Sequence, residues 1–163
     1  MIWLLYALAA LGTWLAWNVI HEMSHVLMAK ALVGLKKWKI YPYPHKSDGN
    51  FYWARTSWQS VDKPTRFQKA AIHLAPRIPN IIFIVLMALA CMASSALAIF
   101  WLIFCSGALV DLLVGSLGIG KYTDLKIAAR QLWISPWWLR VAGLVAFSQG
   151  AFILFMLIFG MHS

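Results

Sequence analysis

The sequence predicts an all-α integral membrane protein: about four transmembrane helices, with a short membrane-associated β-hairpin between the first and second. Three observations carry that prediction. The chain of 163 residues is 62% hydrophobic and 12% charged, with a mean hydropathy of +0.72, where soluble domains carry about 25% charged residues. Residues 1–20, 78–110 and 141–163 contain no Asp, Glu, Lys or Arg. The basic residues fall instead between Lys30 and Arg77 and between Lys121 and Arg140. The length suggests one domain, 1–163.

The net charge of +9 would suit a nucleic-acid partner, but its distribution excludes one. Basic loops between apolar spans follow the positive-inside rule, so the lipid bilayer is the expected partner. Cys91 and Cys105 both lie in apolar spans and read as small buried hydrophobes, not as a disulfide or a zinc knuckle. With no basic n-region, no cleavable signal peptide is expected.

The first span covers about residues 2–31. Its N-terminus is uncharged and its C-terminal flank holds Lys30, Lys36, Lys37 and Lys39, which places the N-terminus outside and residue 30 inside. Within the span sits His21-Glu22-Met23-Ser24-His25. An ionisable cluster inside an apolar helix is costly and so marks a functional site. Residues four apart share a helix face, so His21 and His25 can offer two imidazoles to one metal ion, with Glu22 beside it as a general base. This is the His-Glu-x-x-His pattern of zinc hydrolases. Lys30 is only about 7.5 Å further along the helix than His25, which puts the site in the inner third of the membrane, toward the cytoplasm.

Residues 34–70 differ in character. Lys37-Trp38-Lys39-Ile40-Tyr41 alternates, as does part of 51–56, and Pro42, Pro44 and Asp48-Gly49 separate the two. This reads as a β-hairpin rich in interfacial Trp and Tyr. Asp62-Lys63-Pro64-Thr65 then introduces a surface helix running to about Leu74. Pro76, Pro79 and Asn80 interrupt the start of the next apolar run, 78–120, which holds no Lys or Arg. That run is too long for one helix, so it should be two spans with an outer turn near 92–95. Asp111 lies in the second of them, which ends in Gly115, Gly118 and Gly120. Trp133, Trp137 and Trp138 form an interfacial girdle, and 141–161 is the last span. Four spans leave every basic loop inside and both termini outside.

A catalytic zinc site normally takes three protein ligands and a water. Asp111, Asp124 and His73 are the candidates for the third. Asp111 needs a reason to sit inside a membrane, whereas Asp124 could be an interfacial helix cap and His73 an ordinary interfacial histidine.

At these residues the chain resembles the site-2 protease family of intramembrane zinc metalloproteases, as a small, divergent member. The His21–His25 segment matches the family's zinc-binding helix. Ala75-Pro76-Arg77-Ile78-Pro79-Asn80 resembles its Gly-Pro-x-x-Asn element, with Ala for Gly and one extra residue. Asp111-Leu112-Leu113-Val114, followed by Thr123-Asp124-Leu125-Lys126-Ile127, resembles its Asn-Leu-Leu-Pro run leading to Leu-Asp-Gly, with Leu125 in the Gly position and a longer spacing. The likeness covers about residues 10–130 and includes the hairpin. It implies Zn2+ held by His21, His25 and Asp124, with Glu22 catalytic, Asp111 close to the metal, and Asn80 positioning the substrate backbone. The expected activity is endoproteolysis of membrane proteins in or near their transmembrane segments. The alternative is a non-proteolytic membrane protein that binds or moves metal or protons through the same cluster.

Overall fold

The computed structural model describes residues 2–47, 49–52, 54–93, 95–118 and 123–160. The chain is mostly helical, with small two-stranded antiparallel ladders.

Helix α1, Ile2–Val33, is one uninterrupted helix of 32 residues, about 48 Å long. Gly34 ends it: at φ +64° its N–H donates to Lys30 O at 3.2 Å, the left-handed stop that glycine adopts without steric cost. Strand β1, Leu35–Tyr41, leaves directly from that stop and pairs antiparallel with β4, Arg55–Ser60. Trp38 faces Trp58 across the ladder. Beyond Tyr41 the same excursion continues as β2, His45–Ser47, paired with β3, Asn50–Tyr52. Ser47 pairs with Asn50, leaving two residues for the tip. Asp48 lies outside the described residues; Gly49 has φ +74°, as a tight hairpin turn requires. The expected hairpin is therefore present as two short ladders, broken where Pro42 and Pro44 lie. Two backbone bonds, Val61 N–H to Gly34 O and Asp62 N–H to Val33 O, both 3.2 Å, return the chain to the end of α1.

Helix α2, Arg66–Leu74, begins with a capping box: Gln68 N–H donates to Thr65 Oγ1, and Thr65 N–H donates to Gln68 Oε1. Gln68 also donates to Leu32 O at 3.0 Å, which ties α2 to α1. The chain breaks at Ala75-Pro76 and resumes as α3, Arg77–Ala93, followed by α4, Ser95–Leu117. The expected division of 78–120 into two helices is thus observed. Ser94, at the division, lies outside the described residues, as do Gly120, Lys121 and the side chains of Cys91 and Cys105.

A fifth helix was not foreseen: α5, Asp124–Leu132, stops at Trp133 with φ +62°. The last helix, α6, Pro136–Gly160, starts five residues before the expected span, and Trp137 and Trp138 form its first turn.

Among the described residues two stretches, Arg66–Leu86 and Pro136–Met156, are long and apolar enough to cross a membrane, and Ser106–Leu117 is a shorter apolar segment. Leu8, Leu11, Val19, Ile81, Ile82, Val85, Val110, Val114, Val145 and Phe152 point outward. The inward faces form two clusters. Trp17, Ile84, Ala108, Leu109 and Leu112 join α1, α3 and α4, with Phe147 of α6 against them. Ala29, Val33 and Ile72 join α1 to α2, under Trp58. Helix α5 packs on α2, and β4 packs on α1. These contacts bring the base of α1, the end of α2 and the start of α5 to one place.

Candidate metal centre

Trp17, His21 and His25 recur every four residues, so α1 presents all three on one face. The two imidazole centroids are 5.2 Å apart. Asp124, the first residue of α5, meets both rings: its Oδ2 is 3.1 Å from His21 Nε2 and 3.3 Å from His25 Nε2. The ligand atoms of His21, His25 and Asp124 lie within 4.8 Å of one another, a group that could hold a metal ion.

Each remaining ring nitrogen has its own partner. His25 Nδ1 donates to Ile72 O at 2.7 Å. His21 Nδ1 lies 2.9 Å from Asp111 Oδ1. Both rings are therefore bracketed by two acceptors, while a neutral imidazole has only one N–H. With the Nδ1 proton committed outward, each Nε2 turns a lone pair toward the same carboxylate oxygen. A cation at that point would satisfy all three acceptors. Two imidazole nitrogens and one carboxylate oxygen make a donor set able to hold a metal ion.

His73, at the end of α2, places Nδ1 2.9 Å from Asp124 Oδ1. It engages the oxygen that faces away from His21 and His25, leaving Oδ2 to them. Burial disfavours the Asp124 carboxylate. Where the imidazoles carry protons on Nε2 in place of a shared metal ion, the charge of His25 and hydrogen bonds from His21, His25 and His73 outweigh that penalty and hold the carboxyl well below the ordinary carboxylate range.

Asp111 stands on the other side of His21, braced by Asn80 and Arg77. Asn80 Nδ2 donates to its Oδ2 at 2.7 Å. Arg77 Nη1 reaches the same oxygen at 3.3 Å and the Asp111 carbonyl at 3.2 Å. Asn80 in turn accepts from Trp17 Nε1 at 3.1 Å. The guanidinium fits because residue 115 is glycine, where a Cβ would collide with it. Asn80 is fully buried with both ends of its amide engaged, so here it orients Asp111.

Glu22 is buried on an adjoining face of α1, turned toward β4. Thr56 Oγ1 lies 2.5 Å from Glu22 Oε2 and 3.2 Å from Glu22 O. The strand thus supplies a hydroxyl to the carboxylate expected to act as base.

The structure brings His21, His25, Asp124 and Asp111 together as one hydrogen-bonded cluster. Sequence reasoning gave His73 little weight and passed over Thr56, Arg77 and Trp17. For Trp17 a signal existed, since it lies one turn before His21 on the same face. For Thr56 there was none, because its role depends on which strand lies against α1.

The fold and site thus define a mostly helical protein with a two-histidine, one-aspartate group able to hold a metal ion. Comparison with protein-family models, curated proteins and solved structures finds no match for this chain.

Proposed function

We propose that the chain is an intramembrane zinc endopeptidase of the site-2 protease type, cutting membrane proteins in or near their transmembrane segments. The observation that supports it best is the convergence of His21 Nε2, His25 Nε2 and Asp124 Oδ2 next to a buried glutamate on an apolar helix.

In this reading α1, α3, α4 and α6 cross the bilayer. Their outward Leu, Ile, Val and Phe side chains face lipid, and the basic loops put the site on the cytoplasmic side. Zinc held by His21, His25 and Asp124 would supply a Lewis acid and a reactive water at neutral pH. Glu22 takes the proton from the attacking water and delivers it to the leaving amine. Thr56 fixes the carboxylate that makes both transfers. Asp111 orients His21, and the Trp17–Asn80 pair orients Asp111. A transmembrane helix must unwind before its peptide bonds can be attacked, because they are hidden in its own hydrogen bonds. The two-stranded β1–β4 ladder offers an edge on which an unwound segment can pair.

One observation favours a second reading, proton or metal movement. Asp111, His21, Asp124 and His73 form a continuous chain with separations of 2.9, 3.1 and 2.9 Å, running from α4 to α2. The decisive experiment is metal analysis of the purified protein with a cleavage assay on candidate membrane substrates, in wild type and Glu22→Gln. Zinc in both proteins and cleavage only in wild type supports the protease. Zinc without cleavage in either, combined with proton or metal flux in vesicles, supports the second reading.

A further inference from the structure

The corner between α5 and α6 forms an open pocket of about 540 Å³. That size lies in the range of small-molecule sites, roughly 300–1,000 Å³. Lys126, Arg130 and Arg140 line it together with Ser135, Ile134 and Trp137, and among the described residues no acidic one does. Lys126 and Arg130 are four apart on α5 and so share a face.

We propose that this pocket binds the phosphate group of an anionic phospholipid. Arg140 is the most telling residue. Its Nη2 donates to Gly118 O at 3.2 Å, which fixes the guanidinium in the wall of the pocket. A guanidinium held in place, with five N–H donors and no acceptor, is suited to a phosphate oxygen. The carboxylates near α5 are committed elsewhere: Asp124 to three histidines, and Asp111 to His21, Asn80 and Arg77. The start of α6, with Pro136 as its first residue, adds the partial positive charge of a helix N-terminus.

The setting selects lipid over a soluble phosphate. Trp133, Trp137 and Trp138 are 77%, 62% and 67% exposed around the same corner, at the start of a helix long and apolar enough to cross a membrane. Exposed indoles there sit at headgroup depth, where a basic pocket meets anionic headgroups. The proposal rests on the membrane placement of α6 but not on zinc or proteolysis.

The test is native mass spectrometry of the full chain in detergent, with phosphatidylglycerol, phosphatidylcholine and inorganic phosphate as separate probes. Phosphatidylglycerol should bind saturably and more tightly than phosphatidylcholine. Arg130→Gln and Arg140→Gln should each weaken it about fivefold, the effect of one interfacial cation, while Lys36→Gln on the hairpin should not. Arg140 braces Gly118, so Arg130→Gln carries the test if Arg140→Gln does not fold. Equal retention of the two lipids, or unchanged binding in Arg130→Gln, would overturn the proposal. Inorganic phosphate binding without phosphatidylglycerol binding would also overturn it, by assigning the pocket to a soluble anion. Zinc content of the same samples reports on the metal centre separately.

Discussion

Asp111 Oδ1 lies 2.9 Å from His21 Nδ1, on the opposite side of the ring from Asp124 Oδ2 at 3.1 Å. The two aspartates therefore divide one imidazole between them. Asp124 Oδ2 also faces His25, whereas the other oxygen of Asp111, Oδ2, accepts from Asn80 and Arg77. That difference gives each a distinct expected phenotype.

Asp124→Asn should lower zinc content as strongly as His25→Ala, because it removes a charged ligand. Asp111→Asn should retain zinc with affinity weakened about 10–100-fold, the usual effect of losing a carboxylate behind a ligating histidine. Zinc stoichiometry across a chelator series measures both. Loss in Asp111→Asn with retention in Asp124→Asn would reverse the assignment.

Glu22→Gln should keep zinc and abolish cleavage. The amide can still accept from Thr56 through its oxygen but cannot take a proton. Full proteolysis by this variant would remove Glu22 as the base and the protease proposal with it.

Thr56→Val keeps the branched shape on β4 and deletes the hydroxyl that Glu22 accepts from. A hydrogen bond to a charged group contributes about 1.5–3 kcal/mol, so turnover should fall by roughly one to two orders of magnitude with zinc content unchanged. Thr56→Ser should restore most of it. If Thr56→Val cleaves at the wild-type rate, the contact has no catalytic consequence.

Gly115→Ala tests the wedge that holds Asp111. The added methyl meets the Arg77 guanidinium, and overpacking of this kind costs about 1–3 kcal/mol. The expected result is a lower thermal midpoint in detergent and weaker zinc retention. An unchanged midpoint would mean that Arg77 moves aside freely.

Reporters fused after Lys46 and after Lys126 should read as cytoplasmic, and reporters at either terminus as external. A cytoplasmic reading after Ser163 would contradict four crossings.

The features legible from sequence were the ones local geometry determines. Four-residue spacing puts His21 and His25 on one helix face wherever that helix lies. Asp62-Lys63-Pro64-Thr65 marks the start of α2, Asp48-Gly49 marks the hairpin tip, and the uncharged runs mark the long helices. Each depends on backbone periodicity or on contacts within a few residues. The tertiary structure decided the rest. His21 is 90 residues from Asp111 and 103 from Asp124, and no periodicity spans such distances. Asp124 reaches the two histidines because α5 packs on α2 and α2 is tied to the base of α1. His73 joins Asp124 through that same packing, and Thr56 meets Glu22 because β4 lies along α1. Asn80 turns inward because Trp17 and Asp111 stand at both ends of its amide. Helix packing, through the shapes of side chains far apart in the chain, determined which polar groups met, and the cost of burying any of them unpaired held them together.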